Sequence, residues 1–331
     1  MCAVCSRPTA CCGISSSAPW PTDDGQPTAS EAAGMSARRY RPRRALAAPG
    51  LSAGLSRLTD TVPHVGSVLW QYARRHVGGR DLAEALGRAD QLVAKGCGVS
   101  LDLFGVETGE VHTARVGDAY ADLVTATSGR RQAVWLSADP SHLGLRESWS
   151  TCVRALERIA GELGPGRRLQ IGAETEDLAE NTLRAVLKVA AQGAPVMATV
   201  QANLRRSSDD AARLAAAGVP VRLVKGAFTE SPKVSWPRGE WTDMSFARIA
   251  HRIRKEGGDV TLATHDRLLR ETLLLSLGPL PCEVSLGIRP HDVDCLLRRG
   301  IDTRVYIPYG PDWLRFYLRR LAETPPRRLR K

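Results

Sequence analysis

The sequence predicts an α/β protein built as a (β/α)8 barrel. Between Gly98 and Glu323, eight short apolar runs alternate with eight helical stretches, and this repeat is typical of the fold. Several runs are rich in β-branched residues, and Gly, Pro or Asp borders most of them. The predicted strands cover residues 98–104, 132–137, 168–174, 196–202, 219–225, 259–264, 282–287 and 303–308. We therefore expect the chemistry at the carboxyl ends of these strands, which form the mouth of such a barrel.

The segments between these strands show helical periodicity. The clearest apolar stripe lies within residues 178–190. One helix begins near Asp209 and ends at Gly218, and the seventh ends at Gly300, because glycine is favoured just beyond a helix. Residues 229–242 contain two prolines and are too irregular for a simple turn, so they predict a long loop above the barrel.

The barrel leaves both ends of the chain over. Residues 1–50 lack periodicity and predict a disordered leader, within which Met35 is a second candidate start. Residues 51–96 predict N-terminal helices that cover the bottom or side of the barrel. The barrel itself is expected at residues 97–325, and residues 326–331 form a basic tail.

The charge distribution disfavours a nucleic-acid-binding protein. Of the net charge of +11, residues 1–50 carry +3 and residues 327–331 carry +4, so the basic excess lies mostly at the two ends. Such tails support at most a weak association with an acidic surface, including a membrane surface. No apolar run reaches the roughly 18 residues that span a membrane, and the start does not resemble a signal peptide. The expected location is cytoplasmic.

Half of the eight cysteines lie within the first twelve residues. Cys2, Cys5, Cys11 and Cys12 have the chemistry of zinc ligands, but no second ligand pair follows at an ordinary spacing. An unstructured leader is the better interpretation, and no metal site is predicted.

A charged pair in the fifth predicted strand is the first candidate site. Arg222 and Lys225 interrupt an apolar run, and buried charges need a partner. Near the end of a barrel strand that partner is a ligand or an acid, and Asp102 and Glu174 are the candidate acids. The pattern favours function over an internal ion pair.

The last helix gives a second candidate. Phe316, Arg319 and Arg320 share one helix face, and the planar guanidinium group of arginine suits two-point binding of a carboxylate. A solvated basic face is an equally good interpretation, since Arg315 adds to it. His265 and Gln201 end two further strands and are weaker candidates. The chain has no Gly-x-Gly-x-x-Gly fingerprint, P-loop lysine motif, His-Glu-x-x-His or Gly-x-Ser-x-Gly.

Two segments carry a family resemblance. Residues 201–230, QANLRRSSDDAARLAAAGVPVRLVKGAFTE, and residues 304–323, RVYIPYGPDWLRFYLRRLAE, resemble the two best signatures of the FAD-dependent proline dehydrogenase family. Weaker matches occur in GVSLDLFG, LSA, ATHD and LGIR, in the family's order. The resemblance covers about residues 55–325.

The resemblance implies a distorted (β/α)8 TIM barrel that holds FAD at its strand ends. Proline, or a proline-like amine or amino acid, would be oxidised to an imine of the pyrroline-5-carboxylate type by hydride transfer to the flavin. A quinone or another acceptor would then take the electrons. Arg319 and Arg320 would bind the substrate carboxylate and Tyr306 would wall the ring. The residues expected to hold FAD are Gln201, Arg222, Lys225, Gly226, Thr264 and His265. Those expected to line the substrate pocket are Trp135, Asp102, Glu174 and Phe316.

The chain departs from the family pattern in the pocket. Trp135 replaces a lysine, and Gly172 replaces an aspartate two residues before Glu174. Both charges are lost together, which suggests a reshaped pocket. Further departures are Phe316 and Asn203 for tyrosines, Val106 for an acid that Glu107 follows, and a seventh strand about two residues short before Gly287.

Three alternatives stay open. The first is a divergent paralogue that acts on another carboxylate-bearing amine in specialised biosynthesis. The second is a Schiff-base lyase or aldolase that uses Lys225. The third is an inactive homologue that only binds a ligand.

Overall fold

The computed structural model describes residues 63–104 and 110–323. Eight parallel strands form a closed barrel in which each strand pairs with the next and the eighth pairs with the first. The strands are β1 (Gly98–Leu103), β2 (Val134–Ala138), β3 (Leu169–Ile171), β4 (Val196–Gln201), β5 (Val221–Val224), β6 (Val260–Ala263), β7 (Cys282–Ser285) and β8 (Thr303–Tyr309). The predicted (β/α)8 barrel is confirmed, and every predicted strand overlaps an observed one.

Helices follow each strand, as the periodicity predicted. Two lie before the barrel, α1 (Pro63–Ala73) and α2 (Leu82–Val93). The others are α3 (Glu110–Thr127), α4 (Trp149–Gly161), α5 (Glu176–Ala190), α6 (Ser207–Ala216), α7 (Glu240–Lys255), α8 (Arg267–Leu277), α9 (Pro290–Arg298) and α10 (Trp313–Glu323). A short 3-10 helix, Ser128–Ala133, leads into β2. No described helix has both the length and the apolarity that crossing a membrane requires.

The core lies between the strands and the surrounding helices. Apolar side chains of α4, α5 and α7 are buried against the outer face of the sheet, which is why their sequences show a single apolar stripe. The barrel interior is more polar than a purely structural core requires, because Ser100, Asp102, Gln170 and Glu283 are all buried there. Buried polar groups must find partners, and those partners define the site.

Helix α2 takes the place that a regular barrel gives to its last helix, and α10 lies elsewhere. Helix α2 packs on β1 and β8, the position that the helix after the last strand takes in a regular (β/α)8 barrel. Helix α10 instead packs on α1, and its Phe316 contacts Phe104 beyond the end of β1, so α10 crosses the mouth. The N-terminal helices were expected on the bottom or side. That is right for α2 and wrong for α1, which lies at the mouth because Trp70 packs on Trp313 at a ring distance of 5.1 Å.

The third strand is shorter than predicted. It ends at Ile171 rather than Glu174, because Gly172 and the residues after it turn towards the loop beyond β2. The long loop predicted at residues 229–242 ends three residues early, because α7 begins at Glu240; the rest lies between β5 and α7, where Trp236 N donates to Asn203 O at 2.7 Å. The predicted leader, the basic tail, the four N-terminal cysteines and the Val106–Glu107 departure all lie outside the described residues.

Candidate active site at the barrel mouth

A carboxyl group and a phenol meet at the floor of the mouth. Asp102, near the end of β1, is 1% exposed, and its Oδ2 accepts a short hydrogen bond from the hydroxyl of Tyr306 on β8. Its other oxygen, Oδ1, has no hydrogen-bond partner among the described residues. Burial and the charge of Asp139 raise the pKa of Asp102 to about 7, and burial raises the pKa of Tyr306 well above its ordinary value. Asp102 is therefore a carboxyl group with an unused acceptor.

A buried guanidinium group lies beside this pair. Arg222, on β5, is 5.0 Å from the centre of the Tyr306 ring, and its Nε lies 2.5 Å from Glu283 Oε1. Gln170 Nε2 donates to Glu283 Oε2 at 2.7 Å, so Glu283 holds Arg222 from a fixed position. Although burial lowers the pKa of Arg222, the charge of Glu283 raises it above the ordinary value, and the group stays cationic. The expected acid partners, Asp102 and Glu174, are wrong, because the ion pair is with Glu283.

Helix α10 places two further arginines above the mouth. Arg320 Nη2 donates to Ser285 Oγ at the end of β7 at 3.3 Å, and the guanidinium carbon of Arg319 lies 5.5 Å from the ring centre of Phe104. Phe316 is 3% exposed and packs on Phe104 at a ring distance of 4.9 Å. Phe316 therefore supports the helix from below and reaches the mouth through its cluster with Tyr306.

The ends of β4, β5 and β6 form the opposite rim. Lys225 Nζ pairs with Asp243 and lies 2.8 Å from Asp266 Oδ2. Gln201 Nε2 donates to Glu174 O at 2.7 Å. Gly226 has φ +106°, and a Cβ there would lie 1.8 Å from Asn203 Oδ1, so only glycine fits this position.

His265 and Thr264 end β6 on the same rim. Burial and the neighbouring Arg320 lower the pKa of His265 to about 4, so its ring is neutral at pH 7. Its Nε2 accepts from Ser285 N at 3.4 Å, which ties it to the residue that Arg320 contacts. Thr264 is 4% exposed, and its hydroxyl accepts from Asp266 N at 3.2 Å.

Trp135, one of the predicted pocket residues, does not line the mouth. Trp135 Nε1 donates to Gly166 O, before β3, and its ring stacks on Arg304 at 3.4 Å from the guanidinium carbon. Its other neighbours in a cleft at the amino-terminal end of the barrel include Pro220 and Asp302, each just before a strand. The prediction for Trp135 is therefore wrong, because the indole ring points to the amino-terminal end of the barrel and not to the mouth.

Glu174, another predicted pocket residue, is engaged in a loop contact. Its Oε1 accepts from Ser141 N and Ser141 Oγ, both at 2.7 Å. Burial raises its pKa despite these bonds. Its role is therefore to join the loop after β2 to the loop after β3.

Three residues of the site were not predicted from the sequence, namely Glu283, Asp139 and Ser285. Glu283 lies in the apolar run of β7, which is the same pattern that drew attention to Arg222. Asp139 follows β2 directly and precedes a proline, so it resembled a turn residue. Nothing local distinguished Ser285.

Comparisons with known proteins point to one family. A family model described as proline dehydrogenase matches residues 85–325. The chain is 27% identical over 266 residues to proline dehydrogenase 1 of Bacillus subtilis (strain 168), covering 76% of this chain and 87% of the relative. It is 29% identical over 273 residues to proline dehydrogenase of Deinococcus radiodurans, covering 78% and 87%.

Solved structures show the same fold. Proline utilization A from Bdellovibrio bacteriovorus, inactivated by N-propargylglycine, matches with a TM-score of 0.67 and 19% identity, covering 78% of this chain and 33% of that one. A Bradyrhizobium japonicum proline utilization A mutant matches with a TM-score of 0.63 and 21% identity, covering 81% and 33%. The chain thus spans about a third of the length of these solved proteins.

Proposed function

The chain belongs to the proline dehydrogenase family, whose model matches well over half of it, and from that premise we propose the roles of its residues in oxidising proline to pyrroline-5-carboxylate. The family is FAD-dependent and acts on CH–NH donors. The observation that carries the proposal is the mouth itself, in which Arg222, Tyr306 and Asp102 lie beneath a helix that carries Arg319 and Arg320.

The residues of the mouth fit FAD. Arg222 offers a buried cation for the electron-rich part of the ring system, and Gly226 leaves room for the side chain of Asn203. Asn203 Oδ1 is buried and has no hydrogen-bond partner among the described residues, so it is an acceptor available to a ligand. Lys225, Thr264 and His265 complete the proposed set. When bound, FAD supplies the acceptor for the hydride that leaves the substrate.

We assign the substrate contacts by chemistry. Arg319 and Arg320 bind the carboxylate, since arginine offers paired donors. Tyr306 walls the ring, and its bond to Asp102 fixes the phenol in one orientation. Helix α10 covers the mouth and excludes water, and its cluster with Phe104 holds it there. These residues position the substrate, which is the main requirement for hydride transfer.

The alternative use of Lys225 as an imine-forming residue is disfavoured. A Schiff-base lysine must lose its proton before it attacks a carbonyl. Lys225 Nζ is already paired with both Asp243 and Asp266, and these contacts would have to break before it could attack a carbonyl. Proline and a quinone-type electron acceptor remain the proposed partners.

The experiment is reduction of the bound flavin. Purified protein should be yellow, and its flavin absorbance should fall when proline is added without oxygen. Protein that takes up no flavin during refolding, or whose flavin stays oxidised with proline and related cyclic amines, contradicts the proposal.

Two variants test the carboxylate contacts. Arg319→Ala and Arg320→Ala should raise KM for proline about tenfold or more, because the carboxylate is bound before hydride transfer. Arg315→Ala is the matched control, since that side chain is exposed and pairs only weakly, at 3.9 Å, with Asp312. Unchanged KM in both variants would remove the carboxylate assignment.

A further inference from the structure

A carboxylate occupies the space that a side chain at residue 172 would need. A Cβ built on Gly172 would lie 1.9 Å from Asp139 Oδ1, closer than nonbonded atoms approach, and 3.1 Å from its Cγ, a tight contact. Gly172 N donates to Ala138 O at 2.9 Å, which keeps the two segments together beyond β2 and β3. Gly172 is therefore the residue type that lets Asp139 lie here.

The position of Asp139 changes the interpretation of the missing acid on the third strand. The sequence suggested that the polar floor was lost when an aspartate on the third strand became Gly172. The structure shows a carboxylate at the same point, supplied by Asp139 from the end of the neighbouring strand. The acid is moved by one strand rather than removed.

Asp139 faces the ionisable groups of the mouth. Its negative charge raises the pKa of Asp102 on β1, and that group also has burial, Tyr306, Ser137 and Arg222 acting on it. The other groups that feel the charge of Asp139 are Tyr306 on β8, Glu174 after β3 and Tyr120 on α3. A buried Asp102 and a partly exposed Asp139 thus interact at the mouth, where like charges are unfavourable unless a cation joins them.

The turn after β2 does not by itself require this carboxylate. His142 N and Leu143 N donate to the backbone oxygen of Asp139 at 3.0 and 3.3 Å, so these turn contacts use the main chain. In addition, Asp102 Oδ1 is buried without a hydrogen-bond partner among the described residues. A buried acceptor of this kind is costly unless a ligand satisfies it.

We propose that Asp139 and Asp102 together recognise the protonated ring nitrogen of the substrate, opposite the arginines that bind its carboxylate. This inference rests on the proposed function. A cyclic secondary ammonium has one positive charge and two N–H donors, which matches a carboxylate pair with an unused oxygen. Gly172 is then a specificity position, because any larger residue there displaces Asp139.

The test separates the nitrogen end from the carboxylate end. Asp139→Asn removes the charge at constant size, and Gly172→Ala keeps the charge but displaces it. The probes are proline and tetrahydrofuran-2-carboxylate, in which a ring oxygen replaces the nitrogen and no N–H remains. We expect each variant to lower kcat/KM for proline about tenfold or more. The Kd of the ring-oxygen analogue, measured from the absorbance of the oxidised flavin, should change less than about threefold.

Three controls fix the interpretation. Asp118→Asn, at an exposed position, should behave as wild type. Flavin content and thermal unfolding report whether each variant folds. The double variant Asp139→Gly with Gly172→Asp returns a carboxylate from the third strand, and it should recover part of the lost kcat/KM.

The outcomes distinguish the two proposals. If proline leaves the wild-type flavin oxidised, the proposed function fails. If wild type responds and Asp139→Asn keeps the same kcat/KM, the nitrogen site is overturned. It is also overturned if the ring-oxygen analogue loses as much affinity as proline loses efficiency, since Asp139 would then shape the pocket without reading the nitrogen.

Discussion

The two ends of the barrel interior each bury an arginine, and the partners of the two differ. Near the amino-terminal end, Arg304 Nη1 donates to Val99 O at 2.6 Å and Ala133 O at 3.3 Å, and the guanidinium group stacks on Trp135. Nearer the mouth, Arg222 pairs with Glu283 and lies over Tyr306. Backbone oxygens satisfy the first charge, whereas side chains that also face the mouth satisfy the second.

The electrostatics of the two ends follow the same division. Burial lowers the pKa of Arg304 to about 10, whereas the pKa of Arg222 is raised by Glu283 against the effect of burial. At the mouth, Asp102 has an oxygen without a partner among the described residues. A buried charge therefore indicates function when neighbouring groups still have hydrogen-bonding capacity for a ligand.

The sharpest test of this division is Arg222→Ala. Loss of the cation beneath the mouth should lower kcat/KM for proline at least 100-fold and weaken flavin retention. Arg222→Lys keeps the charge without the planar group, and it should lose less. Thermal unfolding separates these effects from the cost of leaving Glu283 unpaired. If Arg222→Ala keeps kcat/KM within about threefold of wild type, Arg222 does not serve the reaction and the difference from Arg304 is wrong.

The converse test is Arg304→Met. This change removes two hydrogen bonds to backbone oxygens and a stacking contact, so it should lower the free energy of unfolding by about 2–4 kcal/mol. The folded fraction should keep kcat/KM within about threefold. Urea unfolding measures the loss, with the exposed Arg154→Met as control. A stable Arg304→Met protein with strongly reduced kcat/KM would show that the amino-terminal arginine also serves the reaction.

The free energy of unfolding should depend on pH because Asp102 is buried at the mouth. Asp102 keeps its proton in the folded protein up to a pKa of about 7, against an ordinary 3.8. Between these values the native state binds more protons than the unfolded chain, so this group makes the protein less stable as the pH rises. Asp102→Asn removes this carboxyl group. Between pH 5 and pH 8, the free energy of unfolding of the variant should therefore decrease by on the order of 2 kcal/mol less than that of wild type.

The measurement is thermal or urea unfolding of both proteins across that range, without substrate. Asp118→Asn should follow the wild-type curve, because that residue is exposed. Parallel curves for wild type and Asp102→Asn would mean that Asp102 titrates normally.

The smallest expected effect is that of Trp135→Phe. The ring stays against Arg304, and only the bond from Nε1 to Gly166 O at 3.3 Å is lost. Stability should fall by about 1 kcal/mol, and kcat/KM for proline should stay within about twofold. Trp135→Lys should likewise bring no gain in activity on proline. A tenfold change in kcat/KM in either variant would place Trp135 at the mouth after all.

Local sequence patterns were enough to predict the architecture and the segments that carry the candidate site residues. The strand–helix repeat is a local pattern of burial, and eight repeats close a barrel because a parallel sheet of this size buries its edges on itself. The same reasoning placed Lys225 and His265 at strand ends and Arg222 within a strand that leads to the mouth.

The pairing of charges across the barrel depends on contacts that form only in the folded chain. Glu283 is 61 residues from Arg222 along the chain, yet it lies 2.5 Å from it. The direction of the Trp135 ring and the position of α10 likewise depend on contacts between distant segments. Asp139 takes the place of a side chain at Gly172 because two neighbouring strands end side by side. Periodicity describes one element at a time, whereas these contacts arise from the distances between elements once the barrel is closed.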